Sequence, residues 1–273
     1  MCENHAVDEP FWMRRFMLWS YGRWVDDTLD LYLFLGNMGR KPLIGGAVRY
    51  FAARYGEYLH GGRAATVDEA CEVLAEARQI TLMDCACRVK SGNCEKPLRT
   101  CIGINTGAEV LGGLRKEKQI SEAEAKEIIF NSYKHGLIRS VTHCVSPNTY
   151  VICNCCTCCC VPFRLRSVYG IRTAMDNGAR IAVLDRSKCL ACGECADFCP
   201  GQAVDPDGGG VDGEKCLGCG LCLDSCPAGA LEMSDRHGYT ALNKPGFPKR
   251  VLMYAAFFGV IFPVALIYKI FKT

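Results

Sequence analysis

Apolar residues recur with helical spacing in the first part of the chain. Segments 11–35 and 43–60 are rich in aromatic and aliphatic residues and predict two helices, the second ending at Gly61-Gly62. Thr66 and Glu69 have the spacing of a capping box, which predicts the start of a third helix. The chain is therefore expected to begin with a helical region.

After residue 80 the pattern changes to short apolar runs that alternate with helical segments. Ser121 and Glu124 form a second capping box, which starts a helix that ends near His135. A further helix is expected at 163–175. Strands are predicted at 81–84, 137–145, 150–153 and 181–184. The middle of the chain is therefore expected to be α/β.

The chain has one long uncharged run near its C-terminus. Val251 to Tyr268 are eighteen residues without a charge, and as a helix they would be about 27 Å long, close to the hydrocarbon thickness of a bilayer. Pro263 would kink such a helix, which membrane helices tolerate. A transmembrane helix over 251–271 is therefore expected, the alternative being a buried terminal helix in a larger assembly.

Basic residues flank this run on both sides. Three precede it and two follow it, namely Lys244, Lys249, Arg250, Lys269 and Lys272. The small excess before the run favours a large domain on the cytoplasmic face of the cell membrane, held there by a single-pass C-terminal anchor.

Composition points to cysteine chemistry. The chain has 273 residues, of which 21 are cysteine, and its formal net charge is +3. A chain of this length can bury a core without disulfides, and the cysteines are spaced like metal ligands. The small net charge and the lack of a basic stripe argue against nucleic acid as a partner. We therefore expect metal clusters in a reducing compartment.

Apart from Cys2 and Cys71, the cysteines form three blocks. Cys71 lies on the apolar face of the third predicted helix, as expected of a core thiol. The first block contains Cys85, Cys87, Cys94 and Cys101. The second block contains Cys144, Cys153, Cys155, Cys156, Cys158, Cys159 and Cys160. The third block contains Cys189, Cys192, Cys195 and Cys199, followed by Cys216, Cys219, Cys222 and Cys226.

The third block is an internal repeat with a period of 27 residues. Segments 187–205 and 214–232 share ten identities over nineteen positions, and both contain the run C-x₂-C-x₂-C-x₃-C-P. Gly193 and Gly220 follow the middle cysteines, where a residue without Cβ lets the loop turn towards a cluster. Zinc ribbons also use C-x₂-C pairs, but two complete four-cysteine copies with trailing prolines favour iron–sulfur clusters.

This repeat resembles the bacterial-type ferredoxins that carry two [4Fe–4S] clusters, over about residues 180–234. In such ferredoxins the fourth cysteine of each run ligates the other cluster. The resemblance implies that the halves are tied together and that the clusters lie within tunnelling range. It implies one cluster on Cys189, Cys192, Cys195 and Cys226, and a second on Cys216, Cys219, Cys222 and Cys199.

The first two blocks are harder to interpret. Adjacent residues of an extended chain point to opposite sides, so the segment 153–160 can address two metal centres at once. The segments C-x-C-R at 85–88 and C-N-C-C-x-C-C-C at 153–160 resemble those of longer anaerobic 4Fe–4S-binding proteins, over about residues 81–234. The resemblance implies one or two further iron–sulfur clusters, non-cubane forms included. The alternatives are structural thiols or a redox disulfide.

The sequence thus predicts an α+β protein with four parts. These are a helical N-terminal region at 1–80, a cysteine-rich α/β domain at 81–178, a ferredoxin-like dicluster domain at 179–240 and a transmembrane helix at 251–271. The function expected is that of a membrane-anchored iron–sulfur protein that relays single electrons in an anaerobic redox complex. Its partners would be redox proteins, including a membrane oxidoreductase.

Two other functions remain open from the sequence. One is a reductase whose catalytic iron–sulfur cluster lies in the Cys85–Cys160 domain. An iron with fewer than four protein ligands beside a pocket would favour it. The other is a scaffold that hands clusters to other proteins, which labile and transferable clusters would favour.

Overall fold

The computed structural model describes residues 11–58, 60–144, 148–205 and 208–240, together with Ala255, Gly259 and Pro263. Its helices are α1 Phe11–Arg23, α2 Val25–Met38, α3 Gly45–Tyr58, α4 Val67–Ala75, α5 Ala86–Ser91, α6 Gly113–Arg115, α7 Glu122–Lys134, α8 Val161–Ser167, α9 Glu194–Asp197 and α10 Leu221–Asp224. Its strands are β1 His60–Ala65, β2 Ile80–Asp84, β3 Arg99–Ile104, β4 Ile138–Cys144, β5 Thr149–Cys155, β6 Arg180–Leu184, β7 Val204–Asp205, β8 Gly210–Val211 and β9 Leu231–Asp235.

A five-stranded antiparallel sheet with the order β1-β4-β5-β3-β2 organises the first two thirds of the chain. The strands β4 and β5 are consecutive in the chain and lie at its centre, with Val141 opposite Ile152. On the other side of β5, Ile152 is also opposite Ile102 of β3. Because β1 precedes residue 80, the sheet begins inside the region that was expected to be helical.

The two faces of this sheet carry different chemistry. On one face, α4 and α7 pack against apolar side chains that include Ile80, Ile102 and Ile152. The opposite face meets α1, and there Met17 and Leu18 lie in a core cluster with Met83 and with several cysteines packed against it. Strand alternation therefore separates an ordinary apolar core from a sulfur-rich one.

The predicted capping boxes are confirmed, but two strands of the five-stranded sheet and the three short strands β7, β8 and β9 were not predicted. The box of Thr66 and Glu69 starts α4, and that of Ser121 and Glu124 starts α7. The strands β1 and β3 lack an apolar alternation that would mark them.

The glycine pair that was expected to end a helix lies instead within β1. A Cβ atom on Gly61 would lie 2.6 Å from the carbonyl oxygen of Thr173, so a larger residue would push these backbones apart. Glycine at this position allows the two backbones to approach closely, and it does not end a helix.

The expected helix at 163–175 is shorter than predicted. Helix α8 ends at Ser167, and Gly170 then adopts a φ of 72°, which reverses the chain. A single 3₁₀ turn at Arg172–Ala174 follows. The helical pattern in the sequence therefore spans two short elements, because the left-handed glycine interrupts the run.

The repeat region folds around two small antiparallel ladders. Strand β6 pairs with β9, and β7 pairs with β8. The one-turn helices α9 and α10 occupy matching places in the two copies, each directly after a glycine.

The prediction of a C-terminal transmembrane helix is corrected by the structure. In the ranges given above, no helix is long and apolar enough to cross a membrane. Apart from Ala255, Gly259 and Pro263, the segment 251–271 lies outside the described residues. A span needs a continuous helix to satisfy its backbone hydrogen bonds in lipid, and apolar composition alone does not supply one. The α+β class therefore stands without this helix, and the single-pass anchor and the location on a membrane face are not supported.

The capping box of α4 gives a test of this fold. The Thr66 hydroxyl accepts a hydrogen bond from the Glu69 amide at 3.2 Å, and the Glu69 carboxylate accepts one from the Thr66 amide at 2.9 Å. We expect Thr66→Ala to lower the free energy of unfolding by about 1 kcal/mol, because a backbone donor loses its partner. Thr66→Ser keeps the hydroxyl and is the control in denaturant unfolding. Equal stability of the two variants would contradict the role of the cap.

Candidate metal centres

The two copies of the repeat share their unusual backbone positions. Gly193 and Gly220, 27 residues apart, have φ values of 82° and 77°. Ala191 and Gly218 are also equivalent, with φ values of 52° and 77°. The left-handed region is unfavourable for a residue with a Cβ atom, so the alanine indicates that the loop geometry outweighs local preference.

The folded repeat brings its eight thiols together in two crossed sets. The Cys195 thiol interacts with the thiols of Cys226, Cys192 and Cys189, so the last cysteine of the second copy joins the first three of the first copy. The reciprocal set contains Cys199, Cys216, Cys219 and Cys222.

The second crossed set lines a cavity. All four of its cysteines, Cys199, Cys216, Cys219 and Cys222, face this space together with apolar side chains such as Leu217. Backbone amides donate to thiols of both crossed sets, from Ala203 to Cys199 Sγ and from Ala230 to Cys226 Sγ, each at 3.2 Å, and from Ala191 to Cys189 Sγ at 3.4 Å. Four sulfur donors, an apolar wall and N–H···S bonds fit an iron–sulfur cluster.

Exposure differs between the two sets. Cys192 is exposed, and its neighbours Leu190 and Phe198 are 70% and 62% exposed. Cys216, Cys219 and Cys222 are buried. One end of the repeat therefore meets solvent, and the other faces the rest of the protein.

Six cysteines of the first two blocks form a second sulfur-rich region, which we call the six-thiol chamber. Its members interact in the continuous order Cys85, Cys101, Cys153, Cys155, Cys160 and Cys87. Cys101 and Cys153 come from the paired strands β3 and β5, and Cys85 and Cys160 directly precede α5 and α8. The chamber therefore collects thiols from two stretches, 85–101 and 153–160, that are distant from each other in the sequence.

A different group, which we call the four-cysteine site, lies on the other side of the 153–160 segment. It contains Cys94, Cys156, Cys158 and Cys159, whose Sγ atoms all lie within 4.8 Å of one another. Cys155 ends β5 and the chain then turns, so neighbouring cysteines face different centres.

Cys144 has a different environment. It is buried with Tyr150 and Met17 in the core cluster beneath α1, and its thiol interacts with Tyr32 and Tyr55. The eleven cysteines of the first two blocks are thus divided by the fold into six, four and one.

Arg88 lies between the chamber and the four-cysteine site. It is 1% exposed and donates from Nη2 to Thr100 Oγ1 at 2.5 Å and to the Asn154 carbonyl at 3.0 Å. Its Nε and Nη1 atoms have no hydrogen-bond partner among the residues that the structure describes. Burial lowers the pKa of Arg88, but the thiols of Cys85, Cys156 and Cys101 raise it by more. This guanidinium therefore supplies positive charge to both groups of thiols.

The protonation of the chamber is uneven. Hydrogen bonds from Cys101 and Cys155 lower the pKa of the Cys153 thiol, and those from Cys155 and Cys87 lower the pKa of the Cys160 thiol. The same hydrogen bonds, together with burial, raise the pKa of the donors. Six neighbouring thiolates would repel one another, so a metal bound there would have to displace the remaining protons.

A second buried arginine joins the sheet to the repeat. Arg139 of β4 is 0% exposed, donates from Nη2 to the carbonyl oxygen of Cys219, and lies 4.6 Å from the centroid of the Tyr133 ring. The Tyr133 hydroxyl donates to the carbonyl oxygen of Gly220 at 3.0 Å. The loop of the second crossed set is therefore fastened to the sheet by side chains of β4 and α7.

The sequence analysis did not predict the joining role of Arg139 or the burial of Arg88 beside the thiols. Each arginine does carry a signal. Arg88 follows a C-x-C pair, and Arg139 interrupts an apolar strand, where an arginine needs a buried partner.

The geometry of the repeat defines a ferredoxin-like domain, and a comparison with protein families agrees with it. Residues 179–233 match the family model described as a 4Fe-4S dicluster domain. The match does not extend to the segments 85–88 and 153–160, so the resemblance to a longer protein type stays a prediction. Searches of the curated proteins and of the solved structures find no significant match. The dicluster domain and the clustered cysteines together support iron–sulfur cofactors.

Substitution of Arg88 tests its role beside the thiols. We expect Arg88→Met to lower the free energy of unfolding of the metal-loaded protein by about 3 kcal/mol, because buried anions lose their cation. Iron and sulfide per chain after anaerobic purification should fall as well. Arg88→Lys keeps the positive charge and should recover part of the lost stability and part of the lost iron and sulfide. Arg186→Met, at an exposed position, is the control. Full iron content and stability in Arg88→Met would refute the role.

Proposed function

We propose that this iron–sulfur protein relays single electrons between an external redox partner and the six-thiol chamber by way of its dicluster domain. The observation that carries the proposal is one shared core cluster. Cys155 and Cys160 of the chamber pack in the same buried cluster as Cys219 of the second crossed set and its neighbour Leu217. Continuous packing of this kind supports electron tunnelling, because no layer of solvent separates the ligands.

The exposed end of the repeat suits contact with an external redox partner, and its buried end suits electron transfer to the chamber. The exposed set that includes Cys192 is accessible to a partner, and the apolar side chains of Leu190 and Phe198 beside it suit a transient protein contact. The buried set that includes Cys219 adjoins the chamber. We therefore propose a redox protein, within a redox complex, as the partner at the exposed end.

The ligand sets follow from the grouping of the thiols. The dicluster domain would hold two [4Fe–4S] clusters on its two crossed sets, and the chamber would hold at least one further iron–sulfur cluster. Such groups accept and release one electron at a time when bound. The protein's own side chains would set the potentials: Arg139 brings positive charge near Cys219, and Arg88 near Cys85 and Cys101.

Iron and sulfide analysis tests this proposal. We expect about twelve irons or more per chain, with reducible [4Fe–4S] signals in electron paramagnetic resonance. Cys153→Ser should remove the iron of the chamber and leave about eight irons in the dicluster domain. Cys71→Ser is the matched control, because Cys71 lies on α4 and packs against the apolar core of the other face of the sheet. A wild-type content of about eight irons or fewer would refute a cluster in the chamber.

The relay itself is tested by magnetic interaction between the reduced clusters. Broadening of the resonance signals in the fully reduced protein that decreases in Cys153→Ser, which keeps both clusters of the dicluster domain, would support a chamber cluster next to that domain. Signals that are already non-interacting in the wild type would count against a relay into the chamber.

One observation favours the alternative function, a reductase with its catalytic cluster in the chamber. A part-buried hydrogen-bonded group of Tyr32, Tyr55, His60 and Tyr150 lies beside the thiols. His60 Nε2 is 2.5 Å from the Tyr150 hydroxyl, and its Nδ1 is 3.3 Å from the Tyr32 hydroxyl, which is 3.0 Å from that of Tyr55. Burial, aided by His143, lowers the pKa of His60 to about 3, so the ring is neutral and both donates and accepts. Simple electron transfer needs no such path for protons, whereas reduction of a substrate does.

Coupling between protons and electrons tests the reductase. If the tyrosine–histidine group protonates the reduced site, the midpoint potential of the chamber cluster falls as the pH rises, because reduction then takes up a proton. Tyr150→Phe breaks the hydrogen bond to His60 and should make the potential independent of pH. A wild-type potential that does not change with pH would exclude this coupling and leave the relay as the function.

A further inference from the structure

We propose that the four-cysteine site, Cys94, Cys156, Cys158 and Cys159, binds a single tetrahedral metal ion, zinc or iron, instead of a cluster. This site is separate from the relay, and its existence does not depend on the relay's function.

The spacing of the sulfur atoms carries the proposal. Cys94 Sγ lies 3.9 Å from Cys156 Sγ and 3.7 Å from Cys159 Sγ, and Cys158 Sγ lies 3.8 Å from Cys159 Sγ. A metal–sulfur bond of about 2.3 Å puts the corners of a tetrahedron about 3.8 Å apart. The four thiols therefore already stand where the ligands of one ion belong.

The other cysteines provide an internal comparison. In the described part of the chain, no three of the remaining cysteines approach one another as closely as those of the four-cysteine site. In a cubane each thiolate binds a different iron, so the metal core holds the sulfurs apart. In the described part of the chain, neither the eight thiols of the repeat nor the six of the chamber include such a mutually close set, and the chamber thiols approach one another in successive pairs instead.

The surroundings are those of a structural site near the surface, in which Cys156 and Cys159 are buried and Cys94 and Cys158 are partly exposed. The amides of Lys96 and Asn93 hydrogen-bond to the thiols of Cys94 and Cys159, and Leu137 covers one side. Asn93 Nδ2 also donates to the carbonyl oxygen of Cys158 at 3.4 Å. Four thiolates around a divalent ion leave two negative charges, and Arg88 lies beside Cys156 to offset part of them. All four ligand positions are filled by protein, which is typical of a structural ion.

The position of Cys94 indicates what the ion does. Cys94 lies in the loop 92–98 between α5 and β3, and these two elements carry the chamber ligands Cys87 and Cys101. An ion bound to both this loop and the turn at 156–159 would fix the positions of α5 and β3, and with them the positions of Cys87 and Cys101. Its chemistry would therefore be structural.

Metal and sulfide analysis of paired variants tests the inference on the full chain. In the double variant Cys94→Ser/Cys158→Ser we expect the loss of one metal ion per chain, with acid-labile sulfide unchanged. The control is Cys71→Ser, which should keep every metal. Loss of about four irons together with about four sulfides would overturn the single ion in favour of a cluster. An unchanged metal content would overturn the site altogether.

Spectroscopy of the wild-type protein keeps the test independent of how the variants fold, and it distinguishes the two metals. If the ion is zinc, X-ray absorption at the zinc edge should give one shell of four sulfurs at about 2.3 Å with no metal neighbour. If the ion is iron, oxidation should produce a high-spin ferric signal that the double variant lacks. A metal neighbour at the zinc edge, or the absence of both zinc and that ferric signal, would refute the proposal.

Discussion

The structure depends on keeping many thiolate ligands close together and away from water. Desolvation destabilises a buried anion, and neighbouring anions repel strongly where the dielectric constant is low. Among the described lysines and arginines, only Arg88 and Arg139 are buried, and each lies against a sulfur-rich region. Two guanidinium groups cannot balance this many thiolates, so bound metal must supply most of the positive charge. Metal loading and folding are then linked equilibria.

The five-stranded sheet is the frame that makes this arrangement possible. Its apolar face, closed by α4 and α7, is an ordinary core that holds the strands in register without help from metal. Because packing on that face sets the register, side chains on the opposite face are not needed for this purpose. Cys101 and Cys153 lie there on neighbouring strands, close enough for their thiols to interact. The same central hairpin presents Arg139 to the repeat, which places the dicluster domain against the chamber.

Local signals predicted the elements that depend on neighbouring residues. The two capping boxes are confirmed, because the hydrogen bonds that define them lie within one helical turn. The dicluster domain was predicted because both its loops are encoded by a contiguous repeat, which the family match confirms. The strands β1 and β3 were missed because their stability comes from pairing with distant partners, not from their own pattern. The transmembrane prediction was wrong because it used apolar length alone, and no long apolar helix is found where the structure describes the chain.

The sequence by itself determined the candidate ligands: the cysteines, their three blocks and the 27-residue repeat are visible in the spacing alone. Only the tertiary structure decided how the first two blocks divide. Strand pairing brings Cys101 beside Cys153, and the turn after β5 sends Cys156, Cys158 and Cys159 towards Cys94. These distances depend on contacts between residues more than fifty positions apart, and spacing along a chain carries no information about them. The burial of Arg88 was decided in the same way, since its partners Thr100 and Asn154 meet it only in the folded sheet.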